Sequence, residues 1–157
     1  MSSTSSKQSS IPLVIIGWGR ENGVVFMPKV FEDHNTPYEM TAMIDFVETL
    51  EPYRYSPHNL GVVLHNLHPR PRALVIGIAV PPSLVAEMTA VWSEYVDSVL
   101  KKELKDNDEW KKNAVSPLSL THYVDPTITK HPPMDMGWEK EMFKQLDATF
   151  RPEVEWE

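Results

Sequence analysis

Residues 13–23 read LVIIGWGRENG, four apolar side chains followed by three glycines within seven positions. If the chain turns there into a helix, Ile11–Gly17 is the first strand of a βαβ unit, and Gly17, Gly19 and Gly23 lie where a helix N-terminus receives an anion. If Asn22-Gly23 forms a type I′ turn instead, VVFMPKVF (24–31) pairs back onto the first strand as a hairpin. Pro28 speaks against the helix, because inside one it removes a hydrogen bond and clashes with the preceding turn, at about 3 kcal/mol. That objection weakens for a helix whose regular part begins near Met27 and places Pro28 at N1. The alternation of the rest of the chain favours the helix, with the hairpin standing as the alternative.

Working outward, Ile11–Gly17 is short, rich in β-branched residues and closed by a glycine, as suits a strand buried on both faces. YEMTAMIDFV (38–47) is a second strand of weaker pattern, since its Ala and Met residues also suit a helix. RALVIGIAV (72–80) is the clearest strand, preceded by HPRP and stopped by Pro81-Pro82, which cannot continue a ladder. Between them SPHNLGVVLHNL (56–67) puts Ser56 at the N-cap, Pro57 at N1 and Leu60, Val63, Leu64 and Leu67 at helical spacing. Ser83 opens a longer helix whose apolar face runs from Leu84 to Leu100, before the charged KKELKDNDE. NAVSPLSLTHYV (113–124) holds a short fourth strand, the proline-rich DPTITKHPP follows, and WEKEMFKQLDATF (138–150) closes the pattern with a helix. Strands alternating with helices predict an α/β fold: a three-layer sandwich with a mainly parallel sheet of about four strands and flanking helices.

The chain has 157 residues, enough for one core, so residues 11–157 are read as a single domain and the serine-rich residues 1–10 as a disordered tail. It has no cysteine, which removes thiolate chemistry, disulfides and cysteine-based zinc sites together. A net charge of −7 without a basic cluster argues against nucleic acid. No apolar run approaches a membrane span and no export signal is visible, so the expectation is a cytoplasmic protein with no membrane partner. A homo-oligomer is compatible with all of this.

Gly17, Gly19 and Gly23 form G-x-G-x-x-x-G, one residue longer than the dinucleotide fingerprint. Asp45, 28 residues after Gly17 and near the end of the second strand, is placed to accept ribose hydroxyls. These four residues are the candidate cofactor-binding set, with NAD(P) as the cofactor of that reading. The plainer alternative, in which the glycines punctuate a turn and Asp45 is a solvated strand end, is preferred for the altered spacing and the bulk of Trp18 and Arg20. Of the six histidines, His65 and His68 have the spacing of a metal pair, but no third ligand is apparent and a helix C-terminus accounts for them as well; no metal is expected. His58 and the remaining His34 and His131 suggest no site. His122, Tyr123 and Asp125 fall just after the fourth strand, on the side where α/β sheets bind ligands, and can supply a general acid and base. Arg20 can hold a carboxylate or enolate through its planar fork. Those four are the candidate catalytic residues, weighed against the plainer reading of satisfied loop positions. The chain has neither a G-x-S-x-G elbow nor a P-loop.

Four segments in order, VIIGWGRENG, YEMTAMIDFV, PRALVIGIAVPPSLVAEM and VDPTITKHPPMDMGWEKEMFKQL, resemble a group of small fungal proteins with a Rossmann-like fold and mostly no assigned activity. The resemblance spans most of residues 11–150 and implies the βαβ reading and a short fourth strand. It carries over no catalytic set, and Pro28 departs from the smooth first helix of the group. Such proteins often accompany specialised-metabolite pathways, which implies a polycyclic or polyketide-like small molecule. The preferred expectation is a cofactor-independent cyclase, isomerase or lyase working by acid-base side chains. An NAD(P)- or nucleotide-binding module is the alternative, and a non-catalytic interaction protein the third reading.

Overall fold

The computed structural model of the chain describes residues 10–46, 54–128 and 137–156. Val47, His131 and most of the serine-rich stretch lie outside them. Four strands, β1 (Ile11–Gly17), β2 (Tyr38–Asp45), β3 (Ala73–Ile76) and β4 (Ala114–Pro117), form one sheet in the order β2-β1-β3-β4. All three pairings are parallel. Parallel neighbours need crossovers, and these are supplied by α1 (Arg20–Asp33), α2 (Pro57–Asn66) and α3 (Val85–Tyr95), with α4 (Trp138–Phe150) after β4. The fold is a three-layer, Rossmann-like α/β sandwich.

Period-two alternation in β1 divides the core between the two faces. Leu13 and Ile15 join Met27, Val30 and Phe31 of α1 and Trp138, Met142, Phe143 and Leu146 of α4 in one cluster. Val14 and Ile16 join Leu60 and Leu64 of α2 and Met88, Trp92 and Tyr95 of α3 in the other. Because β1 is buried on both faces, its sequence reads as a continuous apolar run. Along the β1–β2 ladder the register shifts after Leu13; Thr41 falls in the step, and its hydroxyl donates to the Leu13 carbonyl at 3.1 Å.

Residues 20–33 are helical, so the hairpin alternative is excluded, and Asn22-Gly23 sits inside the first turn of α1. The helix does not wait for Met27, however: Pro28 lies in its interior. That position is exposed, and the carbonyl left without its helical donor belongs to Val24, itself exposed, so the lost bond is not a buried one. Ser56 caps α2 as expected, its hydroxyl accepting the Asn59 N–H at 3.0 Å. Ser83 does not cap α3; Pro82–Leu84 form a 3₁₀ turn without a side-chain cap, and α3 starts at Val85. Beyond Tyr95 the chain continues through a π-helical turn, Val96–Leu100. β3 is shorter than its apolar run, because Gly77 begins a turn in which the Val80 N–H bonds back to the Gly77 carbonyl.

Candidate functional site

In a parallel sheet whose chain moves outward from β1 in opposite directions, the crossovers from β1 and from β3 diverge and leave a crevice at the carboxyl ends of those strands. Here that crevice is an apolar cavity of about 270 Å³. Ile15 and Gly17 of β1, Val75 of β3 and Gly77, the residue following β3, lie at its base, Gly19, Gly23, Phe26 and Met27 form the α1 wall, and Trp138 and Met142 form the α4 wall. Met43 of β2, Trp18, Ile78, Ala79 and Leu118 complete it. Among the described residues that line it, none has an acidic or basic side chain.

The glycines explain why there is room. Gly19 precedes α1 with φ of 80°, a left-handed conformation that lets the chain turn from β1 into the helix within two residues. At Gly77 a Cβ would stand 2.9 Å from the Ile16 carbonyl oxygen, so only glycine allows the end of β3 to lie against β1 and donate its N–H to that same oxygen at 2.7 Å. Gly17 and Gly23 face a side chain of the protein itself: a Cβ at Gly23 would lie 2.4 Å from Met43 Sδ, and one at Gly17 3.0 Å from Met43 Cε.

Asp45, the candidate for ribose hydroxyls and on the preferred plainer reading a solvated strand end, is instead buried at 6% exposure and accepts the backbone N–H of Arg20, the first residue of α1, at 2.9 Å. Since Gly19 has no side chain to cap the helix, the carboxylate from the adjoining strand end performs that task, and it places a negative charge of the protein at the positive end of the α1 dipole. Arg20 lies next to it, with Nε donating to the Met43 carbonyl at 3.1 Å. Gly17, Gly19 and Gly23 thus line the cavity, whereas Asp45 and Arg20 stand outside its wall and fasten α1 to β2.

His122 ends a helical turn, Ser119–His122, that follows β4, and is half-buried; Tyr123 is exposed at 42%. Asp125 accepts both the backbone N–H of Thr127 (2.9 Å) and its hydroxyl (2.6 Å), a local turn that holds its carboxyl below the ordinary aspartate range. None of the three lines the cavity, but the loop is fixed to its wall: the Val124 N–H donates to the carbonyl of Ile78, a lining residue, at 2.7 Å. The four catalytic candidates are therefore not gathered in one place. His122, Tyr123 and Asp125 sit behind the β3 side of the cavity, and Arg20 sits on its β2 side.

His65, in the last turn of α2, bonds Glu94 Oε2 at 2.8 Å, and this bond lowers the Glu94 carboxyl below its ordinary range. Among the described residues no group of three or more His, Asp or Glu side chains is placed to hold a metal ion. No described helix is long and apolar enough to cross a membrane.

Sequence reasoning missed the residues that make the cavity apolar: Phe26, Met27 and Met43. Trp138 and Met142 belong to the helix that the sequence pattern closes with, and Trp18 reads there only as bulk in the glycine turn. The available signal was Gly77, a residue without a side chain inside an otherwise continuous apolar strand, which marks a close backbone approach. No family model matches the chain, and neither a curated protein nor a solved structure matches it.

Proposed function

We propose that this protein binds a small, uncharged ring compound in the crevice between β1 and β3, without a cofactor. The observation that carries this reading is the lining, which among the described residues consists of glycines, aliphatic side chains, aromatics and thioethers with no charge to receive a phosphate. Size narrows the class. An apolar cavity of about 150 Å³ holds benzene, so one near 270 Å³ suits about two fused rings, the scale of a small aromatic polyketide. A dinucleotide module has less support, because the N-terminus of α1 already has the Asp45 carboxylate on its first N–H.

The test is titration with 2-naphthol beside NADH and ATP, followed by thermal shift and by the fluorescence of Trp18 and Trp138 at the cavity. Naphthol at a hundred times its dissociation constant should add about 2.7 kcal/mol of stability, and Ala79→Leu, which fills the cavity, should abolish the effect. Stabilisation by NADH or ATP alone would replace this reading with the nucleotide module.

A second reading, acid-base catalysis on the bound ring compound as a cyclase, isomerase or lyase, is favoured by the Val124–Ile78 hydrogen bond, which holds the His122–Asp125 loop against the cavity wall. In it His122 moves the proton and Tyr123 and Asp125 orient it, while Arg20, outside the wall and bonded to the Met43 carbonyl, takes no part. His122→Ala, folded by circular dichroism, should then lose about 10²- to 10⁴-fold in turnover; an undiminished rate ends the assignment.

A further inference from the structure

Gly17 and Gly23 make room for something, and what fills the room is the Met43 side chain. Met43 pairs with Ile15 across the β1–β2 ladder, is 7% exposed, and sends its thioether between the end of β1 and the first turn of α1. A Cβ at Gly23 would meet its Sδ and Cε at 2.4 and 2.8 Å, and a Cβ at Gly17 its Cε at 3.0 Å. The backbone at this point is fixed, because the Met43 carbonyl accepts Arg20 Nε. The side chain beyond it is unbranched and polarizable, the type that adapts to irregular space and to aromatic partners. Met43 is also a lining residue of the cavity. It is thus a movable wall between the cavity and the niche of the glycine turn.

Resting on the apolar-ligand reading, we propose that Met43 is the specificity-determining residue of the site. Its thioether limits the cavity to ligands of about two fused rings, and the glycine niche behind it is the space that larger planar ring systems would need. Truncation to alanine joins niche and cavity. A methyl group at Gly23 does the reverse, pushing the thioether into the cavity.

The experiment measures binding of 2-naphthol and of its three-ring homologue 2-anthrol to the full chain by tryptophan fluorescence, for the wild type, M43A, M43L and G23A. The wild type should prefer naphthol. M43A should shift the ratio of the two affinities by about tenfold or more toward anthrol, M43L should keep the wild-type ratio, and G23A should weaken naphthol by about tenfold, the scale a hydrophobic pocket shows for a methylene or two. If the wild type binds naphthol and M43A leaves the ratio unchanged, the role of Met43 is overturned while the apolar-ligand reading stands. If the wild type binds neither probe, both fall. Should M43A fail to fold, G23A decides alone: unchanged naphthol affinity overturns the proposal.

Discussion

The two faces of the sheet are equally apolar and differently built. On the α2/α3 face the large side chains are anchored at their polar ends: the Tyr95 hydroxyl donates to the Pro71 carbonyl at 2.8 Å, and Trp92 Nε1 to Asn113 Oδ1 at 2.9 Å. Their rings meet 5.1 Å apart, and burial pushes the Tyr95 hydroxyl well above its ordinary range. On the α1/α4 face a comparable anchor gathers at the end where β2 begins. Asp147, 1% exposed, accepts from the Tyr38 hydroxyl at the start of β2, from Arg151 twice and from Trp156 Nε1. Toward the carboxyl ends of the strands, the same face has glycines and the methionines Met27, Met43 and Met142 around a cavity. Both faces are built from apolar side chains, and what sets the cavity end apart is its glycines and unbranched methionines, which leave room and adapt to irregular space.

This contrast can be broken by mutation. Trp92→Ala, on the anchored face, should cost about 3–5 kcal/mol in urea unfolding, since it removes a large buried ring and orphans the Asn113 carbonyl oxygen. A loss below about 1 kcal/mol would show that this face is no tighter than the other. Met142→Ala, also fully buried but beside the cavity, should cost only about 2–3 kcal/mol, the low end for such truncations, because the cavity leaves part of its side chain without packed neighbours. A cost equal to that of Trp92→Ala would contradict the distinction. Gly77→Ala should cost about 1–3 kcal/mol, because the atom its Cβ meets is backbone and cannot swing aside. The smallest effect is electrostatic. Arg70 bonds Glu103 at 2.8 Å and holds its carboxyl below the ordinary glutamate range, so the pair stabilises the fold above the unfolded pKa and loses its contribution as pH falls through the lowered folded one. With Glu103 45% exposed, screening leaves a few tenths of a kcal/mol, and Glu103→Gln should flatten the acid side of the stability profile by that much.

Periodicity reached most of the fold because burial on both faces writes itself directly into β1, and because Ser56-Pro57 is a local signal for a helix start. It reached less of α3, where the turn made by Pro82–Leu84 takes the place of a side-chain cap, and it overran β3, since buried turn residues such as Ile78, Ala79 and Val80 are as apolar as strand residues. Of the site, the glycine turn was legible, as a backbone requirement tied to specific positions. The use made of the turn was not. Whether two glycines admit a pyrophosphate or a methionine depends on Met43, a residue of the next strand that pairs alongside. Likewise Asp45 was readable as an acid at a strand end, while its partner, the first N–H of α1, follows only from the parallel register that sets Gly17 beside Asp45.

The strand order also governs when the crevice comes into being. β1 and β2 pair across a single crossover, Ile11 with Tyr38, whereas β1 and β3 pair Leu13 with Ala73, 60 positions apart. Closing the longer loop costs more chain entropy and slows the step that needs it. Until β3 docks, Val75 and Gly77 are missing from the cavity, so a half-assembled chain offers a ligand nothing to hold. A ligand of the proposed kind should accordingly slow unfolding and leave the refolding rate almost unchanged, as measured by stopped-flow with and without 2-naphthol.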